Sequence, residues 1–298
     1  MTSVAIIIPT YNDKERLRLC LEAIAGQSFS ISNITVYVVD NNSSEDVKAV
    51  VDDFSFCDYL HETSPGAYNA RNKALVALKD EEFIGFTDAD CLPQVDWVEN
   101  AVNMLQQFED LAIGGRVSVF PEHNEANLYE LYEVFFAFPQ QAYIKSDNFA
   151  VTANLFTSRQ VLNKVGHFNT SLYSGGDAEW GNRLVSKGLR LVYADNVTVK
   201  HPARNSLAKL TSKVKRTVGG CYKQRDVNPI MAQSFSLLSL CRGYIPPVKA
   251  IHILFKQQIK LGLWKNTQMI LLLTWLKYHK NTIKIFYKIG ILKEYQRF

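Results

Sequence analysis

Phe83-Ile84-Gly85-Phe86-Thr87-Asp88-Ala89-Asp90 is a short apolar run that stops on two carboxylates one residue apart. Such a run reads as a buried strand, and the carboxyl ends of strands in open α/β sheets are where ligands bind. Carboxylates crowded there without basic neighbours repel each other, and a cation between them is the natural resolution. The same triplet occurs in ordinary turns, so its weight comes from the surrounding chain. Upstream, Val4–Pro9 and Ile34–Val39 are strand-like, Tyr59–His61 suggests a short third strand, and Leu17, Leu21 and Ile24 recur at helical spacing. Asp40-Asn41-Asn42-Ser43-Ser44 is a loop with helix-capping residues. Ser64-Pro65 reads as an N-cap with proline at the first helical position, opening a helix through Ala74 and Leu78. Strands alternating with helices predict an α/β fold with a mixed, mainly parallel sheet flanked by helices.

After residue 111 the pattern changes. Ala112–Phe120, Phe149–Thr157 and Leu189–Val199 read as strands, Asn124–Phe138 and Asp177–Lys187 as helices, and Gly114-Gly115 as a bend or close approach. Beyond His201 only basic helical patterns follow, which divides the 298 residues into 1–203 and a helical region 204–298. Apolar and charged fractions of 47% and 21% are those of a folded globular protein. Five scattered cysteines, none in a Cys-x-x-Cys, point to reduced thiols in a cytosolic compartment rather than a disulfide or zinc framework. The N-terminus reads as a first strand, not a signal peptide. The overall charge of +4 conceals an asymmetry: residues 1–203 carry 15 Lys and Arg against 27 Asp and Glu, and residues 204–298 carry 18 against 2. The second region, at +16, calls for an anionic partner.

Five segments stand in order: Ile7-Ile8-Pro9-Thr10-Tyr11-Asn12, Val39-Asp40-Asn41-Asn42-Ser43, Gly66-Ala67-Tyr68-Asn69-Ala70-Arg71-Asn72, Thr87-Asp88-Ala89-Asp90 and Gly175-Gly176-Asp177-Ala178-Glu179-Trp180. Together they closely resemble the family-2 inverting glycosyltransferases, with their GT-A (Rossmann-like) nucleotide-sugar-binding fold, over residues 4–201. The resemblance implies a nucleotide-binding half at 1–110 and an acceptor half at 111–203. It implies Mg²⁺ or Mn²⁺ held by Asp90, with Asp88 nearer the ribose or donor sugar and His201 reaching the metal or diphosphate. Pro9, Thr10 and Tyr11 would border the nucleoside, Asp40 and Asn41 the base edge, Arg71 the diphosphate or base, and Asn154 the donor-sugar pocket. Asp40-Asn41 stands where many relatives carry two aspartates, which leaves the base open, with a UDP-sugar favoured. The family's Glu-Asp pair is here Gly176-Asp177, so Asp177 aligns with the catalytic base and Glu179 is the second candidate. Trp180 serves either as an apolar wall for a sugar or as a core side chain.

In the basic region the longest uncharged stretch, between Lys265 and Lys277, has 11 residues, against the ~20 needed to span a bilayer. Lysines beside Trp264, Trp275, Leu and Ile fit an interfacial helix on an anionic membrane surface. A helical subdomain packed on the catalytic core is the alternative, and the apolar load exceeds what nucleic-acid binding requires. The expected enzyme thus moves a sugar from a nucleoside-diphosphate sugar to a glycan or lipid-linked acceptor, cytoplasmic and peripheral on the inner face of the cell membrane. A sugar-1-phosphate nucleotidyltransferase would need a glycine-rich loop that Pro9-Thr10-Tyr11-Asn12 lacks. A non-catalytic scaffold in a glycan-assembly complex is opposed by the intact Asp88, Asp90 and Asp177.

Overall fold

β1 (Val4–Thr10) alternates its side chains between two cores, and that alternation explains the architecture of the first half. Ile6 and Ile8 meet Leu17, Leu21 and Ile24 on one face; Ala5 and Ile7 meet Ala70, Ala74 and Trp180 on the other. A strand buried on both faces needs helices on both sides, the condition of a largely parallel sheet. The computed structural model describes residues 2–226, 228–256 and 262–292. The remaining strands are β2 (Ile34–Asp40), β3 (Cys57–His61), β4 (Phe83–Thr87), β5 (Leu92–Pro93), β6 (Leu111–Phe120), β7 (Asn154–Ser158) and β8 (Arg190–Pro202). Their order is β3-β2-β1-β4-β7-β6-β8-β5. The first four are mutually parallel, and β4–β7, β6–β7 and β5–β8 pair antiparallel.

Helices α1 (Lys14–Ala25), α2 (Val47–Asp52), α3 (Ala67–Ala77), α4 (Trp97–Leu105), α5 (Leu128–Phe136), α6 (Gln140–Asp147), α7 (Arg159–Val165) and α8 (Gly176–Ser186) fall along this part of the chain. They are followed by α9 (Leu207–Lys223), α10 (Pro229–Ser234), α11 (Leu237–Arg242), α12 (Val248–Lys256) and α13 (Gly262–Lys288). Two expectations are corrected. Pro65 does not open α3: the N-cap is Gly66, at φ 117°, where a side chain is strained. The apolar stretch from Phe149 is a loop until Asn154, because the Gln140 side chain accepts from the Val151 N–H at 2.9 Å and donates to the Asn154 carbonyl at 3.1 Å.

The chain divides into two compact units. One comprises Met1–Val119, Phe138–Ser171 and Gly176–Pro202 and contains the sheet; the other comprises Phe120–Ala137, Leu172–Gly175 and Ala203–Phe298. In the helical unit, Leu272, Leu273 and Leu276 of α13 pack with Leu210 of α9, and the aromatic face of α5 (Tyr132, Phe135, Phe136) lies against them. Asn127 and Glu130 start α5 with a reciprocal capping box. Among the described residues no helix is long and apolar enough to cross a membrane.

Glu133, buried on α5, receives Arg204 at 2.6 Å and Lys213 at 2.9 Å. Burial would raise its carboxyl, but Lys213 and Arg204 outweigh burial and hold it below the usual carboxylate range. The linked stability is therefore present above the ordinary glutamate range and lost as pH falls through the depressed value. Glu133→Gln leaves two cations without their counter-charge. It is expected to cost about 3 kcal/mol, the low end for breaking a buried pair because both cations are partly exposed. Denaturant unfolding across an acid pH series checks this, and the variant should lose this contribution to the acid dependence.

Candidate active site

Sheet register gathers the site. Thr10 pairs with Asp40 and Asp40 with His61, so three strands end at one level. The turns beyond them are latched together: Asn12 Oδ1 accepts from the Ser44 N–H at 2.8 Å, and the Asn12 N–H donates to Ser43 Oγ at 2.9 Å. Pro9 and Thr10 close β1, and Tyr11 lies exposed just past it. Asp40 is buried and accepts from the Ser43 N–H at 2.9 Å and the Tyr59 hydroxyl at 3.0 Å. Burial and then this bond push the Tyr59 phenol up to about 12. Asn41 uses both amide hydrogens on the carbonyls of Glu62 and Ser64 and accepts from the Gly66 N–H at 2.7 Å. It is a staple for the loop entering α3, next to the buried Asp40.

Tyr68 and Arg71, three apart on α3, share a helix face. Arg71 is 3% exposed and donates to Asp88 Oδ1 at 2.5 Å. Among the described residues its Nε has no partner, and neither does Thr10 Oγ1 at the end of β1; both atoms are buried. Buried polar atoms without partners are costly, and a ligand's oxygens would relieve both.

β5 pairs Leu92 with Lys200, and this short bridge draws His201 to the turn after β4. His201 Nε2 stands 3.5 Å from Asp90 Oδ2, and Nδ1 lies 2.7 Å from the Pro202 carbonyl. A carbonyl only accepts, so Nδ1 carries the hydrogen. In the neutral ring Nε2 then turns its lone pair toward a carboxylate. Two acceptors facing each other need a proton or a cation between them, and a backbone bond on the far nitrogen is the usual support for a metal-binding histidine. Nearby Asp13, missed by sequence reasoning, reports the same excess of negative charge. Its carboxyl is raised by burial, opposed by Arg16, and raised further by the Asp90 charge. Cys20 and Cys91 are held as thiols by burial and by the charges of Asp90 and Asp88. Among the described residues no group of three or more His, Cys, Asp and Glu stands ready to hold a metal. Asp90 and His201, with the second oxygen of Asp88, fit a cation that takes its other ligands from diphosphate and water.

Asp177 sits in the first turn of α8. Its Oδ1 accepts from the Tyr68 hydroxyl at 3.2 Å and from the Ala178 N–H at 2.9 Å. A Cβ on Gly176 would lie 2.7 Å from the Tyr68 ring, so the glycine admits a tyrosine there rather than a ligand. Glu179 is clamped by Arg183 at 2.8 and 3.0 Å, and Arg183 also donates to the carbonyls of Val165 and His167. Trp180 is 1% exposed and donates to the Gly166 carbonyl at 2.8 Å. A ring so enclosed cannot stack on a sugar, which favours the core side chain of the two expected readings. Asn154 is fully buried, accepting from the Trp97 indole and donating to the carbonyls of Arg116 and Val197. It pins β7 to neighbouring backbone and has no face toward a donor sugar.

Sequence reasoning missed Tyr68 as a site residue, although its spacing to Arg71 was a usable signal. Within the helical unit, Gln224 is buried and donates to the Gly175 carbonyl at 3.2 Å.

A sheet of this topology, with carboxylates and a histidine gathered at its strand ends, is the frame of a sugar-nucleotide transferase. The chain belongs to glycosyl transferase family 2, whose model matches residues 5–166. Glycosyltransferase AglE of Haloferax volcanii is 33% identical over 206 residues, covering 67% of each chain. A dolichyl N-acetyl-alpha-D-glucosaminyl phosphate 3-beta-D-2,3-diacetamido-2,3-dideoxy-beta-D-glucuronosyltransferase of Methanococcus voltae is 22% identical, covering 73% of this chain and 71% of that one. Among solved structures, mannosyltransferase PcManGT of Pyrobaculum calidifontis, in complex with GDP-Man and Mn2+, has the same fold. Its TM-score is 0.67 at 19% identity, over 97% of this chain and 88% of that one. The protein is thus a glycosyltransferase that uses a nucleotide sugar.

Proposed function

We propose that the enzyme is an inverting glycosyltransferase that transfers by single displacement, with Asp177 as general base and a divalent cation at Asp90 and His201. The observation that carries this reading is the double contact of α3. Tyr68 holds Asp177 while Arg71, on the same helix face, holds Asp88. One rigid helix therefore fixes the spacing between the acceptor carboxylate and the donor end, the positioning that an in-line reaction needs.

Arg71 Nε and Thr10 Oγ1 offer unmet hydrogen bonds to the donor, and Asp40 with Pro9 and Tyr11 frames the nucleoside. When bound, Mg²⁺ or Mn²⁺ would neutralise charge on the departing diphosphate. Asp177 takes the proton of the acceptor hydroxyl, held in place by Tyr68 and by the first turn of α8. The Methanococcus relative is named for a dolichyl-linked acceptor, which supports a lipid-linked glycan as the acceptor class. Such an acceptor places the enzyme at a membrane, and the charge of residues 204–298 suits an anionic one on the cytoplasmic side.

Calorimetry with UDP, GDP and dTDP, with and without Mn²⁺, tests the donor half. One nucleotide, UDP on this reading, should bind about tenfold tighter than the others, and all three should weaken on chelation. Equal, metal-independent binding of all three would sink the assignment of the cation and of the base frame.

A further inference from the structure

α13 carries two apolar faces, and among the described residues one of them is packed inside the protein. Met269, Leu272, Leu273, Leu276, Ile283 and Tyr287 are buried in the helical unit. At 100° per residue, Trp264, Leu271, Trp275 and Phe286 fall within about 60° of one another on a different side. Trp264 is 73%, Leu271 65% and Trp275 42% exposed. Two tryptophans and a leucine left in water on one stripe of a 27-residue helix, about 40 Å long, form a surface that a soluble protein normally covers.

The stripe continues into a second exposed segment. Tyr244 and Ile245, between α11 and α12, and Val248, at the start of α12, are exposed. Their turn is fastened to α13: Lys277 Nζ donates to the Ile245 carbonyl at 2.6 Å, and the Tyr244 and Tyr278 rings lie 5.8 Å apart. The residue at the turn, Gly243, lies so near Asn281 that a Cβ there would collide with its side-chain oxygen. Turn and stripe thus belong to one rigid patch. Arg242 and Lys249 flank the turn in sequence, Lys265 follows Trp264, and all three are exposed.

Charge decides the occupant. Residues 227–293 contain ten Lys and Arg and not one Asp or Glu. A second copy of the chain docking face to face would bring cations against cations. Nucleic acid would satisfy the charge but not the exposed tryptophans and aliphatics. Anionic lipid satisfies both, with phosphates for the cations and an acyl boundary for the apolar groups. We infer that the α13 stripe, together with the 244–248 turn, is the face on which this enzyme lies against an anionic bilayer. The inference rests on the proposed membrane-linked acceptor and specifies which surface meets the lipid. It orients α13 in the plane of the interface rather than across it.

The test uses the full chain and vesicles of phosphatidylcholine with or without phosphatidylglycerol. Wild type should sediment with the anionic vesicles, be released by salt, and show a blue shift of tryptophan emission on binding. Leu271→Ser/Trp275→Ser, at positions outside the core, should keep the wild-type circular dichroism and lose vesicle affinity by about tenfold or more. Arg242→Gln/Lys249→Gln/Lys265→Gln should retain the blue shift at low salt and lose most of the salt dependence. Unchanged vesicle binding in both variants overturns the inference. So does self-association that Leu271→Ser/Trp275→Ser abolishes without any vesicle binding by wild type, which would make the stripe a contact between copies. Hydrolysis of the donor in solution, read on the same proteins, reports the transferase assignment separately, since neither variant touches the strand-end site.

Discussion

Asp177→Asn is expected to lower kcat for sugar transfer by ~10²–10⁴-fold while nucleoside diphosphate and metal bind almost as in wild type. The asparagine keeps an oxygen that can accept from the Tyr68 hydroxyl and the Ala178 N–H, so α8 has no reason to shift. What it lacks is a basic oxygen, and that loss falls on the step in which the acceptor hydroxyl surrenders its proton. Tyr68→Phe removes the group that positions the carboxylate and should reduce kcat more modestly, leaving KM for the donor little changed. Glu179→Gln is the discriminating control. Arg183 clamps Glu179 across one helical turn and ties α8 to the backbone at Val165 and His167, so that variant should lose stability rather than chemistry. Steady-state kinetics with thermal melts separates the outcomes. Transfer abolished in Glu179→Gln and retained in Asp177→Asn would move the base two residues along the helix.

The parts of the fold legible in the sequence are those in which one local rule governs each residue. Phe83–Thr87 is buried along its whole length, and a continuous apolar run reports that directly. Leu17, Leu21 and Ile24 recur on one helix face because only one face of α1 meets the sheet. The loop before β7 misled for the opposite reason. Phe149-Ala150-Val151-Thr152-Ala153 has a strand's composition, and a distant glutamine holds it out of the sheet. α5 was read as an ordinary helix of the catalytic region. Its packing with α9 and α13 depends on residues more than seventy positions away, and no local pattern encodes such a partner.

The candidate site divides along the same line. Asp88, Asp90 and Asp177 were legible because they stand in motif segments that follow one another in order, since a carboxylate at a strand end or helix start is by itself also an ordinary turn or cap residue. Asn41, Asn154 and Trp180 carry equally polar or amphipathic side chains, but their hydrogen bonds close on the protein's own backbone. Sequence position cannot distinguish a polar group aimed at a ligand from one aimed at a carbonyl. Tyr68 was hidden for a related reason. Its hydroxyl contacts a residue 109 positions away, and only the fold brings them together.

Asp90→Ala is expected to remove the enhancement of nucleoside diphosphate binding by Mn²⁺ and to lower kcat/KM by about 10²-fold or more, with the fold intact. The reasoning begins with the facing pair of acceptors. With Nδ1 committed to the Pro202 carbonyl, His201 presents Nε2 to Asp90 at 3.5 Å, a separation that invites a shared cation. Asp88 is less free to compensate, because Arg71 already occupies its Oδ1. Asp88→Asn should accordingly weaken donor binding with or without metal, since it also leaves the buried Arg71 without its counter-charge. His201→Phe keeps a ring against Phe138 and removes both nitrogens, the Nδ1 bond to the Pro202 carbonyl included, but leaves the charged ligand Asp90 in place, so its loss of metal affinity should be smaller than that of Asp90→Ala. Calorimetric titration of each variant with diphosphate, at several Mn²⁺ concentrations, distinguishes these outcomes. If Asp90→Ala retains the wild-type metal dependence, the cation does not sit between Asp90 and His201. The facing acceptors would then be held together by a protonated imidazole, an ion pair that joins the β5–β8 bridge to the turn after β4.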